Sequence, residues 1–262
     1  MALSCDALQV YRGLEGLTGA PTAEEGARLE HRLVGIAGLE EEFSAGRFAK
    51  LARGEIDALL AAGRRPIVVG GTGLYMRAAL SEMELRPPVR AELREQVERE
   101  IAERGPAALH AELDPEPAGE VHPNDRKRIA RLTELQRAGF DAPPPGGGEL
   151  WTARLRHPTL LVGLVLDRDE LTTRIDARAD AMVAHGAADE ARAADAAGAS
   201  RTARAAIGFD QLLAGELDEM KAAQRRYARR QLTWMRKMPG VVVVDRTGRG
   251  DEEVAAELLA RL

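Results

Sequence analysis

The chain predicts an α/β fold built on a parallel sheet, and three observations carry that reading. Short apolar runs at 66–69, 160–166 and 241–244 alternate with longer amphipathic stretches, as in strand–helix–strand units. Two segments pass abruptly from apolar to polar residues: Ser4-Cys5-Asp6-Ala7-Leu8-Gln9-Val10-Tyr11 and Pro66-Ile67-Val68-Val69-Gly70-Gly71-Thr72-Gly73-Leu74-Tyr75. Both read as buried strands that end in a polar segment, and ligands of parallel α/β folds bind at such strand ends. The stretch from about 85 to 150 is helical and arginine-rich, so the sheet domain is assigned to 1–85 and 150–262, and 86–149 to a helical insertion.

The elements follow in order. A strand opens at about Leu3 and ends just before Asp6. Phe43, Phe48, Leu51, Ile56, Leu59 and Leu60 recur at helical spacing over 40–62, and Gly63 stops that helix. The strand 66–69 follows. A helix restarts at Gly73, taking in Leu74, Met76 and Leu80, and Pro87-Pro88 breaks the chain. Val89, Leu93, Val97 and Ile101 line a charged helix over 89–104. Asp114 to Pro123 reads as irregular, and 125–138 as a helix capped by Asn124 or Asp125. Pro143 to Gly148 reads as an exposed joint. Leu160 to Leu166 is a strand, and Asp169 or Thr172 caps the long helix that runs through Met182. Helices over 186–197 and 209–236, a strand Val241–Val244 and a helix 251–262 complete the chain. No internal repeat is visible.

At 262 residues the chain is long enough to bury a substantial core, and its 45% apolar and 30% charged residues are an ordinary balance. The formal net charge of -5 and the 3% aromatic content argue against a general nucleic-acid binder but leave room for a local basic groove. Cys5 is the only cysteine, so a disulfide framework and a cysteine-rich metal site are excluded. The five histidines show no metal-ligand spacing. No apolar run approaches the ~20 residues of a membrane helix, and no secretory leader is visible at the start. A reducing cytoplasm is the expected compartment.

Several residues could carry chemistry. Asp6 is an N-cap, a surface carboxylate or a catalytic group at a strand end. Thr72 is a turn residue or a hydroxyl beside exposed backbone N–H groups that would suit a phosphate or ribose oxygen. Arg174 and Arg178 share one helix face. They are either surface partners of Asp176 and Asp180 or a fork for pyrophosphate. Arg128 and Arg131 follow His122-Pro123-Asn124-Asp125 and form either a solvated face or a row for phosphates. Seven of the seventeen residues at 221–237 are Lys or Arg, which makes a nucleic-acid face plausible there. Tyr227 and Trp234 read as anchors of that helix in the core, Trp234 more than Tyr227. No Gly-x-x-x-x-Gly-Lys-[Ser/Thr] loop occurs anywhere in the chain.

These blocks together resemble the bacterial tRNA dimethylallyltransferase (tRNA isopentenyltransferase) family from about Ser4 to Asp245. The matching blocks are Asp6-Ala7-Leu8-Gln9-Val10-Tyr11, Val69 to Tyr75, His122 to Asp125, Arg174-Ile175-Asp176-Ala177-Arg178 and Gln231 to Arg236. The resemblance implies a P-loop NTPase-like, nucleotide-binding type of sheet flanked by helices, with a helical insertion that grips the tRNA anticodon stem-loop. It implies transfer of a dimethylallyl group from dimethylallyl diphosphate to N6 of adenosine 37, with Mg²⁺, by a cytoplasmic monomer. Carried across, Asp6 is the general base and Thr72 joins it in the catalytic site, while Arg178 binds the diphosphate. Asp6, Ala7, Leu8, Gln9, Thr72, Arg90, Arg128, Arg131, Arg229 and Arg236 face tRNA.

The chain departs from the family pattern in one large respect. The family places a strand and a Gly-x-Thr-x-x-Gly-Lys-[Ser/Thr] loop ahead of the Asp6 block, and neither is present here. A misplaced start or a fragment accounts for this, with genuine loss as the alternative, and the polypeptide as given is expected to be inactive. Smaller departures are Ala7 for a serine, Gly19-Ala20-Pro21 where a lysine precedes the proline, and Asp210 where a basic residue is usual and an acid would repel phosphate. Two other functions compete: a non-catalytic tRNA-binding remnant, and a relative of small-molecule kinases. The latter leaves the Trp234 and His122 blocks unexplained.

Overall fold

The computed structural model describes residues 1–83, 85–140 and 151–262. The Pro143–Gly148 joint lies outside them. The chain divides into two units, Met1–Met83 with Trp151–Leu262, and Glu84–Leu150.

In the first unit β1 (Ala2–Ser4) opens the sheet and is followed by α1 (Glu15–Thr18), α2 (Ala23–Arg28) and β2 (His31–Arg32). Thr22 and Glu25 form a reciprocal capping box at the start of α2. None of these three elements after β1 was apparent in the sequence. Next come α3 (Ala45–Ala61), β3 (Ile67–Val69) and α4 (Gly73–Leu80). Strand order is β2-β1-β3, all parallel, with Leu3 opposite Arg32 on one side and Val68 on the other. β1 is therefore the central strand. Phe48 on α3 stacks on Tyr75 of α4 with ring centroids 4.4 Å apart, and Leu3, Val10, Tyr11, Leu14, Ile56 and Leu59 share the core.

The second unit holds α5 (Ala91–Arg104), α6 (Pro106–His110), α7 (Pro115–Gly119) and α8 (Arg126–Arg137). α7 sits in the stretch expected to be irregular, and Pro115 at its first turn suits a helix start. Asp125 caps α8 by accepting the Arg128 N–H. Val97, Ile101, Leu109, Ile129 and Leu132 make a separate core.

The first unit resumes with β4 (Val162–Val165), α9 (Arg168–Ala184), α10 (Ala187–Ala196), α11 (Phe209–Leu213), α12 (Leu217–Lys237), β5 (Val242–Asp245) and α13 (Asp251–Leu259). β4 and β5 pair in parallel as a second, two-stranded sheet. Two expectations are corrected here. The cap of α9 is Asp167, which accepts the N–H groups of Asp169 and Glu170, because β4 ends earlier than the apolar run suggests. The helix expected over 209–236 is two helices, separated at Gly215, whose φ of +75° only glycine adopts without strain.

A third correction concerns burial. Parallel strands are ordinarily covered on both faces, yet Ile67 and Val69 are 56% and 55% exposed, whereas Leu3 on the central strand is 1% exposed. β3 is the edge of its sheet, and Ile67 and Val69 share one uncovered face. Leu164 and Val243 are exposed on the second sheet in the same way.

Candidate functional site

The chain leaves β1 through Cys5 and turns at Asp6. One oxygen of the Asp6 carboxylate accepts the backbone N–H groups of Leu8 at 2.8 Å and Gln9 at 3.3 Å, which is how an aspartate at a strand end folds a tight turn. Ser4 donates to the Gln9 side-chain oxygen at 2.8 Å, and the Gln9 amide donates to the Gly19 carbonyl at 3.0 Å. Residues 6 to 9 are thereby tied on both sides.

The end of β3 lies directly against this turn. A Cβ on Gly70 would fall 2.3 Å from the Cys5 carbonyl oxygen, so only glycine lets the two strand ends lie together. Thr72 stands at the N-cap position of α4 but makes no capping bond. Its hydroxyl instead accepts the Ala7 N–H at 3.2 Å. The two strand-end motifs read from the sequence thus form one site.

Helix α12 closes a second side. Tyr227, Gln231 and Trp234 lie at i, i+4 and i+7 and so share one face. A Cβ on Gly71 would fall 1.7 Å from the Gln231 amide nitrogen, and one on Gly73 would fall 2.4 Å from the Trp234 ring. Trp151 packs on Trp234 with centroids 4.9 Å apart. The Tyr227 hydroxyl lies 3.4 Å from that of Thr72. Trp234 is half-buried against Trp151 and outside the core in which it was expected, and Tyr227 carries a polar role that its reading as a core anchor missed. The signal was its i, i+4 spacing to Gln231. Burial, then the Asp6 charge, pushes the Cys5 thiol up. Burial, then Tyr11, Asp6 and Cys5, pushes the Tyr75 phenol up. Tyr227 is also raised, by burial first. The thiol and phenols around Asp6 therefore stay neutral near pH 7.

Arg178 reaches the far end of the Gln9 contact. Its guanidinium packs on Gly19, where a Cβ would fall 1.9 Å from Nη2. The acids beside it in sequence are occupied elsewhere: Asp176 pairs with Arg225, and Asp180 with Lys221 at 2.6 Å. Among the described residues Arg178 has no ion-pair partner. Arg174, by contrast, is held by Glu170 at 2.7 Å. A cavity of about 560 Å³ lies along the uncovered face of the first sheet, lined by Ala2, Ser4, His31, Ile67 and Val69, with Gln9 and Gly19 also in its wall; Asp6 and Thr72 do not line it.

The remaining basic candidates are spread out. Arg229 and Arg236 are exposed on α12. Arg90, at the start of α5, and Arg128 are exposed in the second unit, where Arg131 is held by Glu134. Asp210 is partnered by Arg204 at 3.3 Å, which offsets its charge. No group of three His, Cys, Asp or Glu side chains among the described residues could hold a metal, and no helix there is long and apolar enough to cross a membrane.

Parallel strands flanked by helices, with a polar site at the strand ends, define an α/β protein of the open-sheet type, and its structural neighbours, tRNA isopentenyltransferases, have the P-loop NTPase-like fold. A eukaryotic dimethylallyltransferase acting on tRNA shares this fold, with a TM-score of 0.75 over 99% of this chain and 70% of that one, at 22% identity. The IPP transferase family model matches residues 9–238, and the chain belongs to that family. The tRNA dimethylallyltransferase of Anaeromyxobacter dehalogenans is 43% identical over 257 residues, 92% of this chain and 84% of the relative. The full-length tRNA isopentenylpyrophosphate transferase of Bacillus halodurans is 32% identical, with a TM-score of 0.69 over 98% of this chain and 85% of that one.

Proposed function

We propose that this enzyme transfers a dimethylallyl group from dimethylallyl diphosphate to N6 of adenosine 37 in the tRNA anticodon stem-loop. The observation that carries the reading is the Asp6 turn, fixed at the end of the central strand and bonded through Ala7 to Thr72. In the reaction the bond between the allylic carbon and the diphosphate oxygen breaks, and its electron pair leaves with the diphosphate. The N6 lone pair forms the new carbon–nitrogen bond, and the N6 proton passes to the Asp6 carboxylate. Thr72 sits where it can hydrogen-bond the adenosine. Arg178 meets the charge that grows on the leaving diphosphate. Ala7, Leu8 and Gln9 line the approach of the splayed-out base. Arg90, Arg128, Arg131, Arg229 and Arg236 meet tRNA phosphates, and the protein acts as a monomer.

Mg²⁺ would accompany the diphosphate. The described residues assemble no carboxylate cage for a resident ion. The sequence also lacks a glycine-rich lysine loop.

The test is transfer of labelled dimethylallyl groups to unmodified tRNA, with protein in excess. Asp6→Asn should lower the rate ~10²–10⁴-fold, far more than it weakens tRNA binding. Arg178→Gln should act chiefly on the concentration of dimethylallyl diphosphate required. Transfer no greater than in a protein-free control, or an Asp6→Asn rate within a few-fold of the parent, would overturn the reading.

A further inference from the structure

We propose that Tyr227 is a positioning residue, whose hydroxyl holds Thr72 away from its helix and so fixes the Asp6 turn. The inference rests on the function proposed above only for its catalytic consequence. Thr72 occupies an N-cap, where a threonine hydroxyl ordinarily accepts an N–H from the first turn of the helix. It makes no such bond, and it accepts the N–H of Ala7 at 3.2 Å. What stands on its other side is the Tyr227 phenol at 3.4 Å. The Gln231 amide and that phenol both lie against Gly71, 1.7 and 3.7 Å from where a Cβ would stand. A line of polar groups thus runs from α12 through Tyr227 and Thr72 to the amide next to Asp6. The ring of Tyr227 is held independently, half-buried, with the Arg230 guanidinium 5.5 Å from its centroid.

The placement matters because the Asp6 carboxylate is aimed by the turn it closes. It accepts from Leu8 and Gln9, so the orientation of residues 7 to 9 sets where the free oxygen points. Without the Tyr227 hydroxyl, Thr72 is released to cap α4 and Ala7 loses its acceptor. A base displaced by a fraction of an ångström loses rate without losing substrate affinity.

The test compares the full chain with Tyr227→Phe, Thr72→Val and the double variant. Backbone hydrogen exchange is read on the amides of Ala7, Leu8 and Gln9. Each single variant should lose protection at these amides by about 2- to 10-fold, the scale of one hydrogen bond. The double variant should lose no more than Thr72→Val, because the two groups act in one line. Protection elsewhere in α12 should not change, since the phenyl ring remains. In the transfer assay Tyr227→Phe should lower kcat about tenfold with both Michaelis constants unchanged. Unchanged protection at residues 7 to 9, or additive losses in the double variant, would overturn the proposal. If protection falls as described but the parent transfers nothing, the positioning role stands and the assigned reaction is what fails.

Discussion

α8 and α12 are the two arginine-rich helices of this chain, and the structure uses their charges in opposite ways. Every arginine of α8 has an acidic partner: Arg126 with Glu98 at 3.0 Å, Arg128 with Asp125 at 3.5 Å, Arg131 with Glu134 at 2.8 Å and Arg137 with Glu100 at 2.7 Å. The first half of α12 is similar, with Lys221 on Asp180, Arg225 on Asp176 and Arg226 on Glu219. Its second half is not. Among the described residues Arg229 and Arg236 have no ion pair, and Arg230 and Lys237 lie over the rings of Tyr227 and Trp151. Apolar contacts differ as well. α8 buries Ile129, Leu132 and Leu135 almost completely, whereas α12 buries only Met220 to that degree. A run of arginines is therefore not yet a positive surface. What decides is whether acids, on the same helix or on others, stand beside it.

The largest effect should come from the structural half of this contrast. Ile129→Ala removes a side chain that is 0% exposed in the core of the second unit, and should cost about 2–5 kcal/mol of that unit's stability. Leu232→Ala, on the half-buried face of α12, should cost about 1 kcal/mol. Denaturant unfolding of the two variants measures the difference. Equal losses would mean that α12 is as structural as α8 and that its charges are incidental.

The charge half of the contrast gives the next effect. Replacing Arg229 and Arg236 by glutamine should weaken tRNA binding and lower its salt slope by roughly 1 for each phosphate left without its arginine. Replacing Arg128 and Arg131 should change the slope less, because Asp125 and Glu134 already screen those arginines and each substitution leaves an acid unpaired. Binding across a salt series for the two double variants decides this. A larger slope change for Arg128 and Arg131 would reverse the assignment. Equal and unchanged slopes would place the tRNA path elsewhere.

The same contrast shows what could be read from the chain and what could not. Asp6, Thr72 and the glycines around them were legible, because a strand end is marked locally by where apolar residues stop and glycines begin. The start of α4 at Gly73 was legible for that reason too. That Arg178 has no ion-pair partner among the described residues was not. Asp176 and Asp180 lie within one turn of it, but Arg225 and Lys221 take them from elsewhere in the chain, and helical spacing carries no information about a distant helix. The exposure of Ile67 and Val69 was hidden for a related reason. An apolar strand has the same composition whether or not something covers it. The break at Gly215 was obscured because Leu212, Leu213 and Leu217 continue an apolar pattern across it, while the left-handed backbone there is a property of a single residue. Tyr227 was placed in the core by its ring, and only the position of Thr72 shows what its hydroxyl does.

The smallest effect tests whether the pairing around α8 contributes to stability at all. Arg137 grips Glu100 with both guanidinium nitrogens at 2.7 Å, and the Gln96 amide adds a bond at 2.9 Å. The Arg137 contact first, then Gln96, holds the Glu100 carboxyl down to about 2 from its ordinary 4.5. A carboxyl depressed in the folded state binds its proton more readily when unfolded. Its contribution is therefore fully present above the unfolded value of about 4.5, and is lost as the pH falls through the folded value of about 2. The side chain is 22% exposed, so solvent screening limits the contribution to about 1 kcal/mol. Glu100→Gln should lower Tm by a few degrees at about pH 6, and by progressively less as the pH is lowered toward about 2. Other carboxylates titrate over the same range in both proteins, so the difference between parent and variant isolates Glu100. A constant Tm difference across the whole series would show that this pair contributes geometry rather than charge. The acids beside α8 could then no longer be said to hold its arginines electrostatically, and Arg128 and Arg131 would become as available to a phosphate as Arg229 and Arg236.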